Sequence, residues 1–143
     1  MVEGSSAMKM FLGEYQPNIT EGNRIALPKK LREQVVGDEV ILAKGFEPCV
    51  FLYDKADWEK EWEKQVDNPI TDLKTRELKR YVFSGAVSGL LDEQGRIVVP
   101  QPLRSYAGLE KEVVVIGAGD HMELWDRQAW TEHLKKISGA LGS

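Results

Sequence analysis

Six basic residues stand where they could meet an anion. Arg24, Lys29, Lys30 and Arg32 crowd the stretch from Thr20 to Glu33, against two acids, Glu21 and Glu33. A second stretch carries Arg96 and Arg104. Arg24 and Arg96 each leave a turn at the start of a strand, and Pro28-Lys29-Lys30 opens a helix. Loop amides and helix N-termini favour phosphate, and an arginine fork fits phosphate oxygens or guanine edges. That chemistry is nucleic-acid contact. The competing reading is a solvated surface with an ordinary Asp92–Arg96 pair spanning Glu93-Gln94-Gly95. Lys74, Arg76, Lys79 and Arg80 read as the solvated face of a linker helix.

Other chemistries find no constellation. His121 and His133 fall in no metal spacing and no triad-like context, and read as structural or exposed. No glycine-rich phosphate loop is present. The single cysteine, Cys49, allows neither an intrachain disulfide nor a cysteine-cluster zinc site, and fits a reducing cytosol. Lying between Pro48 and Val50, it reads as core. The chain is therefore expected to be no enzyme, with no cofactor and no metal.

The elements that must hold the basic residues belong to a chain of 143 residues, 19 of them basic and 23 acidic, for a net charge of −4. This excludes a uniformly basic coat protein but not one basic face. A chain this size hides roughly two thirds of its unfolded surface, enough for a real core. No apolar run reaches the ~18 residues of a membrane span. The polar start MVEGSSAMK has no signal-peptide core. Residues 1–9 and 137–143 are expected to be disordered tails.

The chain also repeats itself. Residues 11–58 and 83–130 align at a constant offset of 72 with 12 identities in 48 ungapped positions, among them Phe11/Phe83, Gly13/Gly85, Arg24/Arg96, Pro28/Pro100, Arg32/Arg104, Gly45/Gly117, Asp54/Asp126 and Trp58/Trp130. Each copy reads as strand, strand, short helix, strand, strand, long helix. In the first, Phe11 to Tyr15 is a strand, Thr20-Glu21-Gly22-Asn23 a turn, Arg24 to Leu27 a returning strand, and Pro28 the start of a helix carrying Leu31, Gln34 and Val35 on one face. Val40 to Ala43 and Cys49 to Tyr53 follow as strands, then a helix with Trp58 and Trp62 on a buried face. In the second copy, Val113 to Ile116 reads as a strand buried on both faces. Thr71 or Asp72 can cap a linker helix running to about Tyr81. Two such copies about a pseudo-twofold axis close a small mixed barrel. The division is residues 10–66 for the first half, 67–82 for the linker helix and 83–136 for the second half.

The motifs MFLGEYQPNITEGNRIALPKKLRE, EPCVFLYDKADWE, LLDEQGRIVVPQPLRSYAGLEKEVVVIGAG and MELWDRQAW closely resemble the bacterial MraZ family over about residues 10–136. The resemblance implies an α+β fold with a mostly β core: duplicated AbrB-like swapped-hairpin halves forming one pseudo-twofold barrel with flanking helices. It implies a cytoplasmic, nucleoid-associated transcriptional regulator of the division and cell-wall gene cluster. Such a protein binds double-stranded DNA at direct repeats upstream of its own operon as a ring-shaped homo-oligomer, away from any membrane. The family's Asp-x-x-x-Arg motif is complete at Asp92 and Arg96. The first half departs, with Thr20 in place of the aspartate and Asn23 in place of the glycine. The competing classes are an oligomeric protein-interaction scaffold or antitoxin-like module, and a small enzyme.

Overall fold

The structure is a computed structural model describing residues 10–65 and 71–142. The expected tail at 1–9 and the first part of the linker lie outside the described residues. The first half supplies β1 (Glu14–Tyr15), β2 (Arg24–Ala26), α1 (Lys29–Arg32), β3 (Glu39–Lys44), β4 (Val50–Asp54) and α2 (Lys55–Gln65). After α3 (Leu73–Gly85), the second supplies β5 (Val87–Leu90), β6 (Arg96–Val98), α4 (Gln101–Ala107), β7 (Val113–Gly117), β8 (Met122–Asp126) and α5 (Arg127–Gly142).

Local chemistry sets these boundaries. Pro28 and Pro100 directly precede α1 and α4 in extended conformation, and the left-handed Gly108 closes α4. Asp72 caps α3 by accepting from the Thr75 amide at 3.0 Å. The repeated Asp54 and Asp126 end their strands and accept the Ala56 and Ala129 amides, at 2.8 and 3.0 Å, opening α2 and α5. The repeated Trp58 and Trp130 each lie 5.4 Å from the ring of an equivalent partner, Tyr53 and Trp125.

The halves interlock. Six strands form one sheet in the order β1-β7-β8-β4-β3-β5, and β2 pairs with β6 in a separate ribbon. The first strand of each half thus pairs with the third strand of the other, β1 with β7 and β5 with β3. In the ribbon, Ile25 faces Ile97, its own counterpart, so the pseudo-twofold axis passes between them. Sheet and ribbon close over one core drawn from both halves, with Phe11, Ile25, Leu42, Leu52, Ile97, Val115, Met122 and Leu124 fully or almost fully buried. Every ladder among the described residues is antiparallel, so the expected mixed barrel is corrected to an antiparallel one. Likewise Arg24 to Leu27 does not return against the first strand; it crosses to the other half.

Further expectations change. Helix α1 is a single turn, ending before Gln34 and Val35. Helix α3 runs through Phe83 and Gly85, so these are not the counterparts of Phe11 and Gly13; Phe11 is buried and bridged to Gly119, whereas Phe83 is exposed. The tail expected from 137 is the last part of α5, which continues to Gly142 with no buried residue. Ala129 and Trp130 near its start pack against the second buried cluster, and the helix propagates outward from there by one hydrogen bond per residue.

Candidate nucleic-acid interface

The two turns around the paired arginines have one backbone form. The Thr20 amide donates to Arg24 O at 2.8 Å and the Asp92 amide to Arg96 O at 2.9 Å. The Asn23 amide donates to Thr20 O at 3.0 Å and the Gly95 amide to Asp92 O at 2.9 Å. Asn23 and Gly95 are both left-handed, with φ of 58° and 74°. Asparagine is one of the few side chains that tolerate this region, so the loss of glycine at 23 leaves the turn intact.

Their side chains differ. Asp92 Oδ1 accepts the Gln94 and Arg96 amides, each at 2.9 Å, and its Oδ2 accepts from Arg96 Nε at 2.9 Å. The Arg96 amide first, then its side chain and the Gln94 amide, hold this carboxyl below the usual aspartate range. Thr20 contributes only a hydroxyl, donating to Arg24 O at 3.2 Å. Arg24 Nη1 reaches Glu21 O at 3.5 Å.

The ribbon decides what faces outward. Ile25 and Ile97 point into the core, so strand alternation turns Arg24, Ala26, Arg96 and Val98 to the other face. Ala26 and Val98 are exposed and the two arginines partly so. Each turn is bonded to the opposite half: Leu27 N donates to Gly95 O and Val99 N to Asn23 O, both at 2.9 Å. Hence Lys29, Lys30 and Arg32 follow a strand that runs away from Arg24 towards the turn of the other half. The chain leading to them is tied to the Asp92–Arg96 turn, and Arg32 Nη1 donates to Gln94 O at 3.2 Å. Lys29 and Lys30 are exposed. Arg104 is partly buried, its Nε donating to Val99 O at 3.1 Å. With four residues, α1 is too short for its N-terminus to add an anion site.

The expected solvated helix face holds at Arg80, which pairs with Glu77, while Arg76 donates to Thr71 O at 2.9 Å. No group of three or more metal-capable side chains occurs among the described residues, and no helix there is long and apolar enough to cross a membrane. His121 is tied to Asp120 and Glu123 at 2.7 and 2.9 Å. Cys49 is fully buried and its thiol pushed up by burial. A cleft of about 210 Å³ between α2, α3 and β4, lined by Phe51, Tyr53, Trp58 and Trp62, went unread in the sequence; the two tryptophans, one turn apart, line this outer cleft rather than the core.

Residues 10–81 and 82–141 each match the family described as "MraZ protein, putative antitoxin-like". A protein of Heliobacterium modesticaldum named transcriptional regulator MraZ is 42% identical over 129 residues, 90% of either chain. Proteins of the same name from Leifsonia xyli and Syntrophomonas wolfei are 40% and 41% identical, over 94% and 87% of this chain and 93% and 86% of theirs. The solution structure of PHS018 from Pyrococcus horikoshii is similar with a TM-score of 0.35 and 16% identity, over 76% of this chain and 91% of that one, too slight a likeness to argue from. Two matched halves and relatives of this identity along nearly the whole chain lead to one conclusion: the chain belongs to the MraZ family of transcriptional regulators.

Proposed function

We propose that the protein is a sequence-specific DNA-binding repressor of the bacterial division and cell-wall gene cluster, working in the cytoplasm at the nucleoid. It binds direct repeats upstream of its own operon as a ring-shaped homo-oligomer. One observation carries the DNA reading: the β2–β6 ribbon turns Arg24 and Arg96 outward on a single face, and the exposed Lys29 and Lys30 follow β2 on α1. A two-stranded ribbon fits the major groove, where arginine is the commonest specific reader. The names of the relatives supply the regulatory context. With a net charge of −4, one subunit offers little basic surface. Assembly multiplies that face, and repeats at matching spacing then gain through effective concentration.

Gel shifts across a salt series test this on promoter fragments with tandem repeats or a single one. Tandem repeats should bind more tightly, and binding should fall steeply with salt. Arg24→Ala and Arg96→Ala should each weaken binding by about tenfold or more, with the assembly unchanged by sedimentation. Undiminished binding by both variants overturns the interface. A second reading, an antitoxin-like or scaffold module that binds protein, is favoured by the aromatic cleft and the acidic balance. Intact oligomers that never retain DNA would overturn the first reading and point to this one.

A further inference from the structure

The two turns share a backbone but not their cover. In the second, the Asp92 carboxylate holds Arg96 aside. That leaves the face of Gly95 open, and Arg32 of the other half fills it. A Cβ built on Gly95 would lie 1.8 Å from Arg32 Nη1 and 2.6 Å from its Cδ, so the side chain rests directly on the glycine. The pseudo-twofold axis assigns Arg104 the matching place over the first turn, yet Arg104 turns to Val99 O instead. Two residues account for this. Asn23 stands where Gly95 stands and carries the Cβ that such a side chain would strike. Thr20 offers no carboxylate, so Arg24 folds over its own turn, with Nη1 2.3 Å from the Cβ position of Gly22.

We propose that Arg32 is a cross-half positioning residue that holds the Asp92–Arg96 turn rigid, so that the two turns meet DNA unequally. The second turn is a preset reader of base edges. The first is an adaptable arm whose Arg24, held by one long hydrogen bond, settles on the phosphate backbone. This deepens the DNA-binding reading and rests on it. Rigid geometry favours discrimination, because a bidentate base contact tolerates little displacement. A mobile charge favours phosphate, which carries no sequence information.

The first experiment needs no DNA. Amide hydrogen exchange on the full chain compares Gly95 with Asn23, whose amides make equivalent bonds within their turns. The protection factor of Gly95 should be larger. Arg32→Ala and Arg32→Lys should each abolish the difference while protection at Ile25 and Ile97 stays, marking an intact fold. The double variant Thr20→Asp with Asn23→Gly should raise protection in the first turn towards that of the second. Equal protection in the parent protein, or no response to Arg32→Ala, overturns the clamp whether or not DNA binds.

The second experiment measures affinity for tandem repeats against a scrambled fragment across salt. Arg96→Ala and Arg32→Lys should lower the ratio of specific to non-specific binding about tenfold with the salt slope unchanged. Arg24→Ala should weaken both and reduce the slope by about one. Full discrimination by Arg32→Lys makes Arg32 a plain phosphate charge and overturns the proposal. Failure of the parent protein to prefer the repeats sinks the DNA reading, and with it the division of labour, while exchange still decides the clamp.

Discussion

Positions 20 and 92 occupy equivalent turns, but only one of them titrates. The Asp92 carboxyl is held below its ordinary value chiefly by the Arg96 amide, so its bonds persist above the unfolded aspartate value of about 3.9 and are lost as pH falls through the lower folded value. The amide resonances of Gln94 and Arg96 should therefore titrate with a midpoint below that of an unfolded aspartate, and Asp92→Asn should remove the transition. A midpoint at or above the ordinary value would mean that these bonds do not hold the carboxylate. At this scale the sequence was informative where chemistry is local. The Asp92–Arg96 pair spans four positions, and Thr20 was legible as its incomplete counterpart. The Arg32 contact joins residues 62 apart and depends on a missing Cβ, and no spacing rule carries that.

Among the elements, the third strands show how a repeat can be seen and still be misaligned. Val40 pairs with Asp54, and Val113, not Glu112, pairs with Asp126. Val40, Leu42, Val113 and Val115 face the main core, so β3 and β7 correspond at an offset of 73 rather than 72. The turns restore the count: Gly45 closes on Cys49, whereas Ala118 closes on His121, one residue sooner. An ungapped comparison cannot register one insertion cancelled by one deletion. Gly45 and Gly117 are therefore not structural counterparts, although they match at an offset of 72. Gly117 answers to a crossing chain instead: a Cβ there would lie 2.3 Å from the Phe11 carbonyl carbon and 2.4 Å from Leu12 N. Backbone cannot swing aside as a side chain can. Gly117→Ala should destabilise by about 1–3 kcal/mol in chemical denaturation and loosen β1 from β7. Gly139→Ala, in open space on α5, should cost nothing. Equal stability of both variants would show that β1 does not press on Gly117.

For the molecule as a whole, the duplication is legible in the residues themselves, whereas the exchange of strands is legible only through the swapped-hairpin resemblance, because pairing sequential strands within a copy satisfies the same apolar pattern. The exchange matters energetically. Ile25, Leu42, Leu52 and Phe11 share one buried cluster with Ile97, Val115 and Leu124 of the other half, and each such side chain contributes about 1.5–3 kcal/mol when fully buried. A half expressed alone, residues 10–65 or 71–142, should therefore be unfolded as a monomer, and should gain structure with concentration or on mixing, as followed by circular dichroism and sedimentation. A folded monomeric half would refute the shared core. Covalent joining has a further effect. Two identical chains about a true twofold axis have no front and back, and suit a palindrome. Here Thr20 faces one way and Asp92 the other across the Ile25–Ile97 axis, so the interface has a direction. On the proposed function, the two orientations of such a subunit on DNA are not equivalent, and successive copies in a ring would all point the same way. Head-to-tail repeats are the arrangement of sites that such a directed row of subunits would match.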